Sequence, residues 1–280
     1  MPRALVRLLP LVLLVGCHIG REGARETITW KGPIDDGARF AYRNRTGAIE
    51  VEEAAGDSAE LVLTVRRRRG GSEATTVAVV RDARGLVACV QYDGDARCDA
   101  GAYDVGADTD GRSVHAVLRL PRGRALDVAT RNGSIEVAVP LRDATLVTRN
   151  ARVRVADVAG PLVVTTSNGS VRALGLRGPV SVTTSNASVR LALDTLAGPV
   201  DVRTSNGGVD AELPASASAI LRATTSNGAL ALRLPGTLRT QERGRLEAVL
   251  GAGMHPITVA TSNANVTFGP RAVSSADPDE

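Results

Sequence analysis

The clearest pattern along the chain is a short alternation of apolar and polar residues that ends in asparagine and recurs seven times. Apolar residues and a threonine take every second position, which is typical of a half-buried β-strand. The seven segments are residues 126–132, 144–150, 162–168, 180–186, 200–206, 221–227 and 257–263. Each is followed by Gly or Ala, one variable residue and an apolar residue that begins a second short strand. Because Asn and Gly tolerate left-handed backbone, the pattern predicts two strands joined by a bend.

The spacing of the closing asparagines indicates how these strand pairs are arranged. Successive asparagines lie 18, 18, 18, 20, 21 and 36 residues apart. A unit of about 18 residues with two strands and two corners is one coil of a β-solenoid. The sequence therefore predicts an all-β, single-stranded parallel β-solenoid of about 18–21 residues per coil. The last spacing is twice 18 and predicts one degenerate coil near Arg245.

Equivalent residues of stacked coils should form ladders about 4.8 Å apart along the solenoid axis. We expect one interior ladder of threonines and a second interior ladder of asparagines, whose amides bond between coils. The asparagines are Asn132, Asn150, Asn168, Asn186, Asn206, Asn227 and Asn263. So thin an interior would leave no room for a large ring, which would explain why residues 104–267 contain no aromatic side chain.

The flanking regions are less regular. Residues 40–51 resemble residues 126–137, with Thr46 in the place of the ladder asparagine. We interpret residues 38–120 as an irregular N-terminal β cap region and residues 121–269 as the solenoid repeats. Residues 17–37 are expected to be a polar tether, within which residues 27–30 could form a first short strand. Residues 270–280 have the composition of a disordered tail.

The N-terminus has the layout of an export signal. Arg3 and Arg7 precede a short apolar stretch that ends in Leu-Val-Gly-Cys at Cys17. This order resembles the bacterial lipobox, and it predicts a lipoprotein signal peptide over residues 1–16 with palmitate and other acyl chains on Cys17. An ordinary signal peptide with an incidental cysteine is the alternative. His18 in place of Asp favours the outer membrane, so we expect a protein of the bacterial cell envelope.

The repeats behind the lipobox resemble a known family. Thr-Ser-Asn-Gly-x-Val units are similar to those of the bacterial "putative adhesin" domain family of unknown function, whose members are adhesin-like β-solenoid proteins. The resemblance covers roughly residues 40–269. It implies a β-solenoid and, by analogy of the name, adhesion, but it brings no catalytic residues.

Two further cysteines, Cys89 and Cys98, lie on either side of a turn-rich segment. An exported compartment permits disulfides, so the pair could close a hairpin-like loop. Free buried thiols or half of a metal site are the alternatives, although no Cys-x-x-Cys motif and no nearby histidine supports a metal.

The charge of the chain is nearly balanced. The formal net charge of +4 falls to +2 once the two signal-peptide arginines are removed. Such a balance does not support nucleic-acid binding. Within the repeats, the predicted register stacks Arg154, Arg172 and Arg190 as a strip that could bind an anionic envelope glycan. The alternative is a solvated face whose end charges are paired by Glu136 and Asp210.

Two other charged segments have both structural and functional interpretations. The run Arg66 to Arg69 would form an exposed hairpin tip or would contact an anionic membrane or surface polymer. Acidic side chains crowd the segment before Arg112 and could serve turns or hold Ca²⁺. They are Asp93, Asp95, Asp99, Asp104, Asp108 and Asp110. Calcium-loop spacing is missing, so turn chemistry is preferred and no metal or cofactor is expected.

No nucleophile, zincin, Walker or dinucleotide motif is present in the sequence. The acidic residues of the repeats do not form an obvious catalytic pair. The sequence therefore predicts a lipid-anchored, non-enzymatic interaction or structural module. Its partners would be the membrane, through the acyl chains, and an anionic envelope glycan or another envelope protein. The alternative is a polysaccharide-active β-helix enzyme.

Overall fold

The structure is a computed structural model that describes residues 25–67, 75–92, 98 and 112–271, together with the backbone of residues 16–18. The described residues form 24 strands and the turns between them, and they contain no helix. None of them therefore forms a helix long and apolar enough to cross a membrane. The chain divides into two compact units, Met1–Val155 and Ala156–Glu280.

The first unit is built from two series of hydrogen-bonded strands. Its strands are β1 (Gly16–His18), β2 (Arg25–Pro33), β3 (Arg39–Arg43), β4 (Ile49–Glu53), β5 (Ser58–Arg66), β6 (Thr76–Asp82), β7 (Gly85–Gln91), β8 (Ser113–Leu120), β9 (Arg124–Ala129), β10 (Ile135–Val137), β11 (Leu141–Val147) and β12 (Val153–Val158), which crosses into the second unit. One series runs β1, β2, β5, β8, β4, β10, β12. The other runs β6, β7, β3, β9, β11.

The pairing changes character along each series. In the first series the pairs β8–β4, β4–β10 and β10–β12 are parallel, as coils of a solenoid require. In the second series the pairs β7–β3, β3–β9 and β9–β11 are parallel as well. The strands before them pair antiparallel and form the irregular cap. The predicted match of residues 40–51 with residues 126–137 is confirmed, because Phe40 pairs with Leu126 and Thr46 bridges to Asn132.

Large rings do enter the interior, so the expectation that the coil has no room for them is wrong. Phe40 and Tyr42 are fully buried in β3, and the Trp30 and Phe40 ring centroids lie 6.1 Å apart. In the second unit Phe268 is also fully buried, and its neighbours in register are Ala211 on one side and Leu232 on the other. The small Ala211 leaves volume for the phenyl ring, since protein interiors are closely packed.

The second unit also has two series of strands. Its strands are β13 (Leu162–Thr165), β14 (Val171–Leu176), β15 (Val180–Thr183), β16 (Val189–Leu193), β17 (Val200–Arg203), β18 (Val209–Leu213), β19 (Ala219–Thr224), β20 (Leu230–Leu232), β21 (Thr237–Glu242), β22 (Arg245–Leu250), β23 (His255–Ala260) and β24 (Val266–Pro270). One series runs β14, β16, β18, β24, β20. The other runs β13, β15, β17, β23, β19, β22, β21. Together these parallel coils confirm the predicted all-β solenoid.

The coils of the second unit do not stack in chain order. The last repeat inserts between two earlier ones, because Val259 pairs with Val202 on one side and with Ala223 on the other. The predicted degenerate coil near Arg245 is wrong. The residues there form the antiparallel hairpin β21–β22, which closes the stack against β19. The doubled spacing therefore marks an inserted hairpin.

Whether the residue after each ladder asparagine is Gly or Ala follows the spatial order of the coils. A Cβ atom on Gly207 would lie 1.7 Å from the carbonyl oxygen of Ala187, and one on Gly228 would lie 1.9 Å from that of Ala264. Such approaches are possible only without a side chain. In spatial order the position alternates between Gly and Ala along the unit, as Gly169, Ala187, Gly207, Ala264 and Gly228. Chain order would break this alternation.

Candidate functional site

The bend that follows each first strand carries one buried row and two solvent-facing rows of side chains. The buried row consists of the repeat threonines Thr130, Thr148, Thr166, Thr184, Thr204, Thr225 and Thr261. Several of their hydroxyls donate to carbonyls in the bend of the adjacent coil. Thr148 donates to the Gly133 oxygen at 3.1 Å, and Thr225 donates to the Ala264 oxygen at 3.0 Å. These bonds hold neighbouring bends in register.

The asparagine row is exposed, so the expectation of an interior asparagine ladder is wrong. In the second unit each amide donates to the next side-chain carbonyl, from Asn186 to Asn168, Asn206 to Asn186, Asn263 to Asn206 and Asn227 to Asn263, at 2.7–2.8 Å. In the first unit Asn150 donates to Asn132 at 2.7 Å. All seven side chains face solvent. The strand alternation stops at the buried threonine, and in the bend the next residue and the asparagine both face solvent.

The residue between threonine and asparagine forms a second solvent-facing row, and its chemistry differs between the units. In the second unit the row is Ser167, Ser185, Ser205, Ser262 and Ser226, which are joined by backbone hydrogen bonds of 3.0–3.3 Å. In the first unit it is Arg131 and Arg149, and Arg45, between Asn44 and Thr46, continues the row through the same backbone bonds of 3.1 Å. The Arg45 guanidinium is half-buried and lies 4.7 Å from the centre of the Tyr92 ring. In the sequence, the change from Thr-Ser-Asn to Thr-Arg-Asn marks Arg131 and Arg149 as residues of this row.

These rows define what the bend can do chemically. Serine hydroxyls both donate and accept hydrogen bonds, and asparagine amides at the end of the row do the same. An array of this kind suits sugar hydroxyls. Guanidinium groups suit phosphate or carboxylate oxygens.

The predicted arginine strip is paired with carboxylates. In the second unit Arg172 and Arg190 are neighbours in register, and Arg190 forms an ion pair of 2.8 Å with Glu212. In the first unit Arg154 lies 3.8 Å from Glu136. Glu212 therefore pairs with Arg190, although Asp210 was the expected partner. The ion pair is diagonal across the two strands. Asp210 is in register with Arg190, whereas Glu212 is in register with Ala192, two residues further along β16.

Glu212 is the centre of this ion-pair network. Its side chain is 13% exposed and also contacts Arg271 at 3.3 Å, while Arg271 reaches Asp194 at 3.2 Å. Desolvation by burial alone would raise the pKa of Glu212. The hydrogen bonds and positive charges of Arg190 and Arg271 outweigh it, so the pKa of Glu212 lies below its ordinary value. The network stabilises the outer face of β16 and β18 rather than offering a free cation.

A buried charge in the first unit has a structural role. The Arg43 guanidinium is 3% exposed, pairs with the Asp127 carboxylate at 2.9 Å and donates to the Asp127 carbonyl at 2.8 Å. Arg39 extends the network to Asp143 at 3.0 Å. Because the buried charges compensate each other in place, removing one partner would leave an unpaired charge, so the cluster belongs to the fold rather than to a binding site.

The predicted disulfide is confirmed. Cys89 and Cys98 are bonded, with their Cα atoms 5.6 Å apart. The bridge packs against Ala41 and Val87 on the outer face of β3 and β7. It fastens residue 98 to the cap strands.

The described part of the chain carries shallow surface cavities. One of about 460 Å³ lies beside the β4–β5 turn and includes Lys31, Asp57 and Glu60, and Glu60 pairs with Arg119 at 3.4 Å. Another, of about 240 Å³, lies over β19 and β22. No group of three His, Cys, Asp or Glu side chains in the described ranges is arranged to hold a metal.

Several predicted sites lie wholly or partly outside the described residues. The side chain of Cys17 is among them, although its backbone pairs with Glu26 in register. Arg68 and Arg69 of the arginine run, the six aspartates between residues 93 and 110, and the tail from residue 272 also lie outside. Acylation of Cys17 stays a prediction.

Comparison with known proteins identifies the family. The model of the Toastrack DUF4097 family matches residues 124–268. No curated protein matches the chain. A solved structure named "putative cell adhesion protein" from Clostridium sporogenes is similar at 11% identity and a TM-score of 0.35, covering 86% of this chain and 98% of that one. A "putative adhesin" from Bacteroides fragilis is similar at 8% identity and a TM-score of 0.30, covering 89% and 100%. The chain belongs to the Toastrack DUF4097 family.

Proposed function

We propose that this protein is a lipid-anchored component of the bacterial cell envelope whose solenoid is a non-enzymatic, adhesin-like interaction module. The observation that carries the proposal is the exposed bend of the second unit. There, a row of hydrogen-bonded asparagine amides runs beside a row of five serines. The lipobox at Cys17 supports an envelope location.

The two rows have the properties of a preorganised binding surface. Five coils at about 4.8 Å give rows roughly 19 Å long, which is the length of several sugar units. The amides hold one another at 2.7–2.8 Å, so little side-chain freedom would be lost on binding. A repeated row of fixed donors and acceptors fits a repeated ligand. We therefore propose an anionic envelope polysaccharide as the partner, with another envelope protein as the alternative.

Lipid anchoring can be tested on the full-length protein. Cells expressing the wild type or Cys17→Ser are labelled with an alkyne fatty acid, and their membranes are fractionated. The wild type should carry the label and remain with the membrane after a salt wash. An equal label on Cys17→Ser would refute the lipoprotein proposal.

Glycan binding can be tested with envelope polysaccharide or lipopolysaccharide on an array. Replacing Ser185, Ser205 and Ser262 with glutamate should abolish retention, because the carboxylates would block the row and repel anionic sugars. Glutamates at Thr237 and Thr240 in β21, and at Ser216 in a turn, are the matched control of equal charge. Replacing Arg154, Arg172 and Arg190 with Ser tests the arginine strip separately. Retention that neither set changes would contradict the proposal, and release of shortened sugars would favour the polysaccharide-active enzyme.

A further inference from the structure

We infer that one edge of the first unit, which carries exposed arginines, lies flat on the anionic lipid surface to which Cys17 is attached. We call it the arginine edge and define it by Arg25, Arg66, Arg67, Arg149 and Arg152. The inference rests on the proposed lipid anchor. It adds which side of the protein faces the membrane.

Strand directions place these residues on one edge. β8 runs parallel to β4, β10 and β12, so all four begin at the same edge. β5 is antiparallel to β8 and ends there, and β2 is antiparallel to β5 and begins there. In register, Arg25 lies opposite Arg66, and Arg66 lies opposite Ser113. Arg149 and Arg152 lie in the bend that leads into β12, where the Arg152 carbonyl accepts a hydrogen bond from the Ile135 amide at 3.0 Å.

The anchor joins the fold at this same edge. β1 pairs antiparallel with β2, which places Cys17 opposite Glu26 and His18 opposite Arg25. Opposed residues in an antiparallel pair have Cα atoms about 4.5–5.5 Å apart. Acyl chains on Cys17 would therefore leave the protein beside Arg25 rather than at the end of a long tether.

The charges of the two edges differ. Arg25, Arg66, Arg149 and Arg152 are exposed, and Glu26 forms an ion pair with Arg67. The opposite edge of the same strands carries Glu52 and Glu53 at the end of β4, Asp57 in the following turn and Glu60. There Arg119 and Arg122 are already engaged by those glutamates. An anionic leaflet would attract the first edge and repel the second.

The effect of each arginine can be expressed as a change in the ratio of docked to undocked protein. An arginine close to an anionic leaflet favours the bound state by about fivefold. Removing Arg66, Arg149 and Arg152 should therefore lower the ratio of docked to undocked protein by roughly 100-fold. Because the acyl chains are untouched, the variant would stay on the membrane but lose its orientation.

Strand β5 reaches from one edge to the other, so a label near each of its ends can report on both edges. Its nine residues span about 27–30 Å from one edge to the other. A thiol-reactive fluorophore on Thr64→Cys reports on the arginine edge, and one on Asp57→Cys reports on the opposite edge. The chain has three cysteines, and two are bridged, so acylation of the third leaves the introduced thiol as the unique labelling site.

The test uses acylated full-length protein in phosphatidylcholine vesicles that contain phosphatidylglycerol and a lipid with a head-group quencher. The label at residue 64 should be quenched strongly and the label at residue 57 weakly. Vesicles without phosphatidylglycerol, 0.5 M salt or the triple Arg→Ser variant should remove the difference. The triple variant Arg84, Arg122 and Arg142→Ser, with exposed arginines replaced at the opposite edge, should retain it.

The outcomes separate this inference from lipid anchoring. Absence of acyl chains on the purified protein would refute the anchor, and with it this inference. Acylated protein with equal quenching at both labels, or stronger quenching at residue 57, would overturn the orientation while leaving the anchor intact.

Discussion

The two units build the same bend and cover it with different chemistry. Both bury a threonine row and expose asparagines that are hydrogen-bonded side chain to side chain. The row between them is Arg45, Arg131 and Arg149 in the first unit and consists of five serines in the second. The inward positions therefore specify the coil, while the solvent-facing position is free to vary. Function should be sought in the residues that differ between the units rather than in those that repeat.

The units also close their stacks differently. The first is capped by antiparallel strands, holds four large buried rings among its described residues and carries the disulfide. The second consists of regular coils, takes its last repeat into the middle and ends in the β21–β22 hairpin. Both units depend on close backbone contacts at glycine, since a Cβ on Gly133 of the first unit would lie 1.8 Å from the Gly47 carbonyl oxygen. The first unit adds the packing of large side chains and covalent closure by the disulfide.

The largest effect is expected where coils of the second unit touch through glycine. Gly207→Ala should destabilise the protein by roughly 3 kcal/mol, because its Cβ would overlap the Ala187 carbonyl. Gly208→Ala is the matched control, since its Cβ would lie 3.6 Å from the Asn265 oxygen, an ordinary contact. Chemical unfolding measures both. Equal losses would contradict the close coil contact.

The next effect belongs to the first unit. Replacing Cys89 and Cys98 with Ala should cost about 2–3 kcal/mol, mainly because the unfolded chain regains the freedom of a nine-residue loop. Hydrogen exchange should accelerate in β3 and β7 and remain unchanged in β14 to β18. Faster hydrogen exchange in both sets of strands would contradict the expectation that the disulfide stabilises only the first unit.

A smaller, pH-dependent effect is expected at Glu212. Its folded pKa is lower than the ordinary 4.5, so its stabilisation is complete above the unfolded pKa and is lost as the pH falls through the folded value. Glu212→Gln should lower the free energy of unfolding by about 1 kcal/mol at pH 7. The gap between variant and wild type should narrow as the pH falls below the ordinary pKa of 4.5. A gap that is constant with pH would exclude the ion-pair explanation.

Because the asparagine row is exposed, its hydrogen bonds should contribute little to the free energy of unfolding. Asn186→Leu should cost about 0.5–1 kcal/mol, because its amide bonds to Asn168 and Asn206 compete with water. Ser185→Ala, one residue earlier, is the control and should change the free energy of unfolding by less than about 0.5 kcal/mol. A loss of several kcal/mol in Asn186→Leu would indicate a buried ladder.

The smallest effect tests whether the solvent-facing row is free to vary. Arg149→Ser converts a bend of the first unit to the chemistry of the second. It should change the free energy of unfolding by less than about 0.5 kcal/mol. Thermal unfolding compares it with the wild type. A large loss would mean that this arginine belongs to the fold rather than to the surface.

The sequence carried the fold class and the repeat register, because buried alternation and bend residues have a strong periodic signal. It was sufficient to place Thr46 opposite Asn132 and to favour a bridge between Cys89 and Cys98 over free thiols or half of a metal site. It did not reveal the exposure of the asparagines, since an amide bonded to its neighbour is compatible with either side of the coil. Nor did it reveal the position of the last repeat, because stacking between distant segments leaves only a weak trace, the alternation of Gly and Ala.

The surface assigned to the second unit depends on the spatial order of its coils, and paired cysteines test that order most directly. Ser205 and Ser262 are adjacent in the structure, with the Ser262 amide 3.0 Å from the Ser205 carbonyl oxygen. Cα atoms of adjacent coils, about 4.8 Å apart, are within disulfide range. Under mild oxidation, Ser205→Cys with Ser262→Cys should form a disulfide, and Ser205→Cys with Ser226→Cys should not. The opposite result would contradict the inserted last coil and the rows built on it.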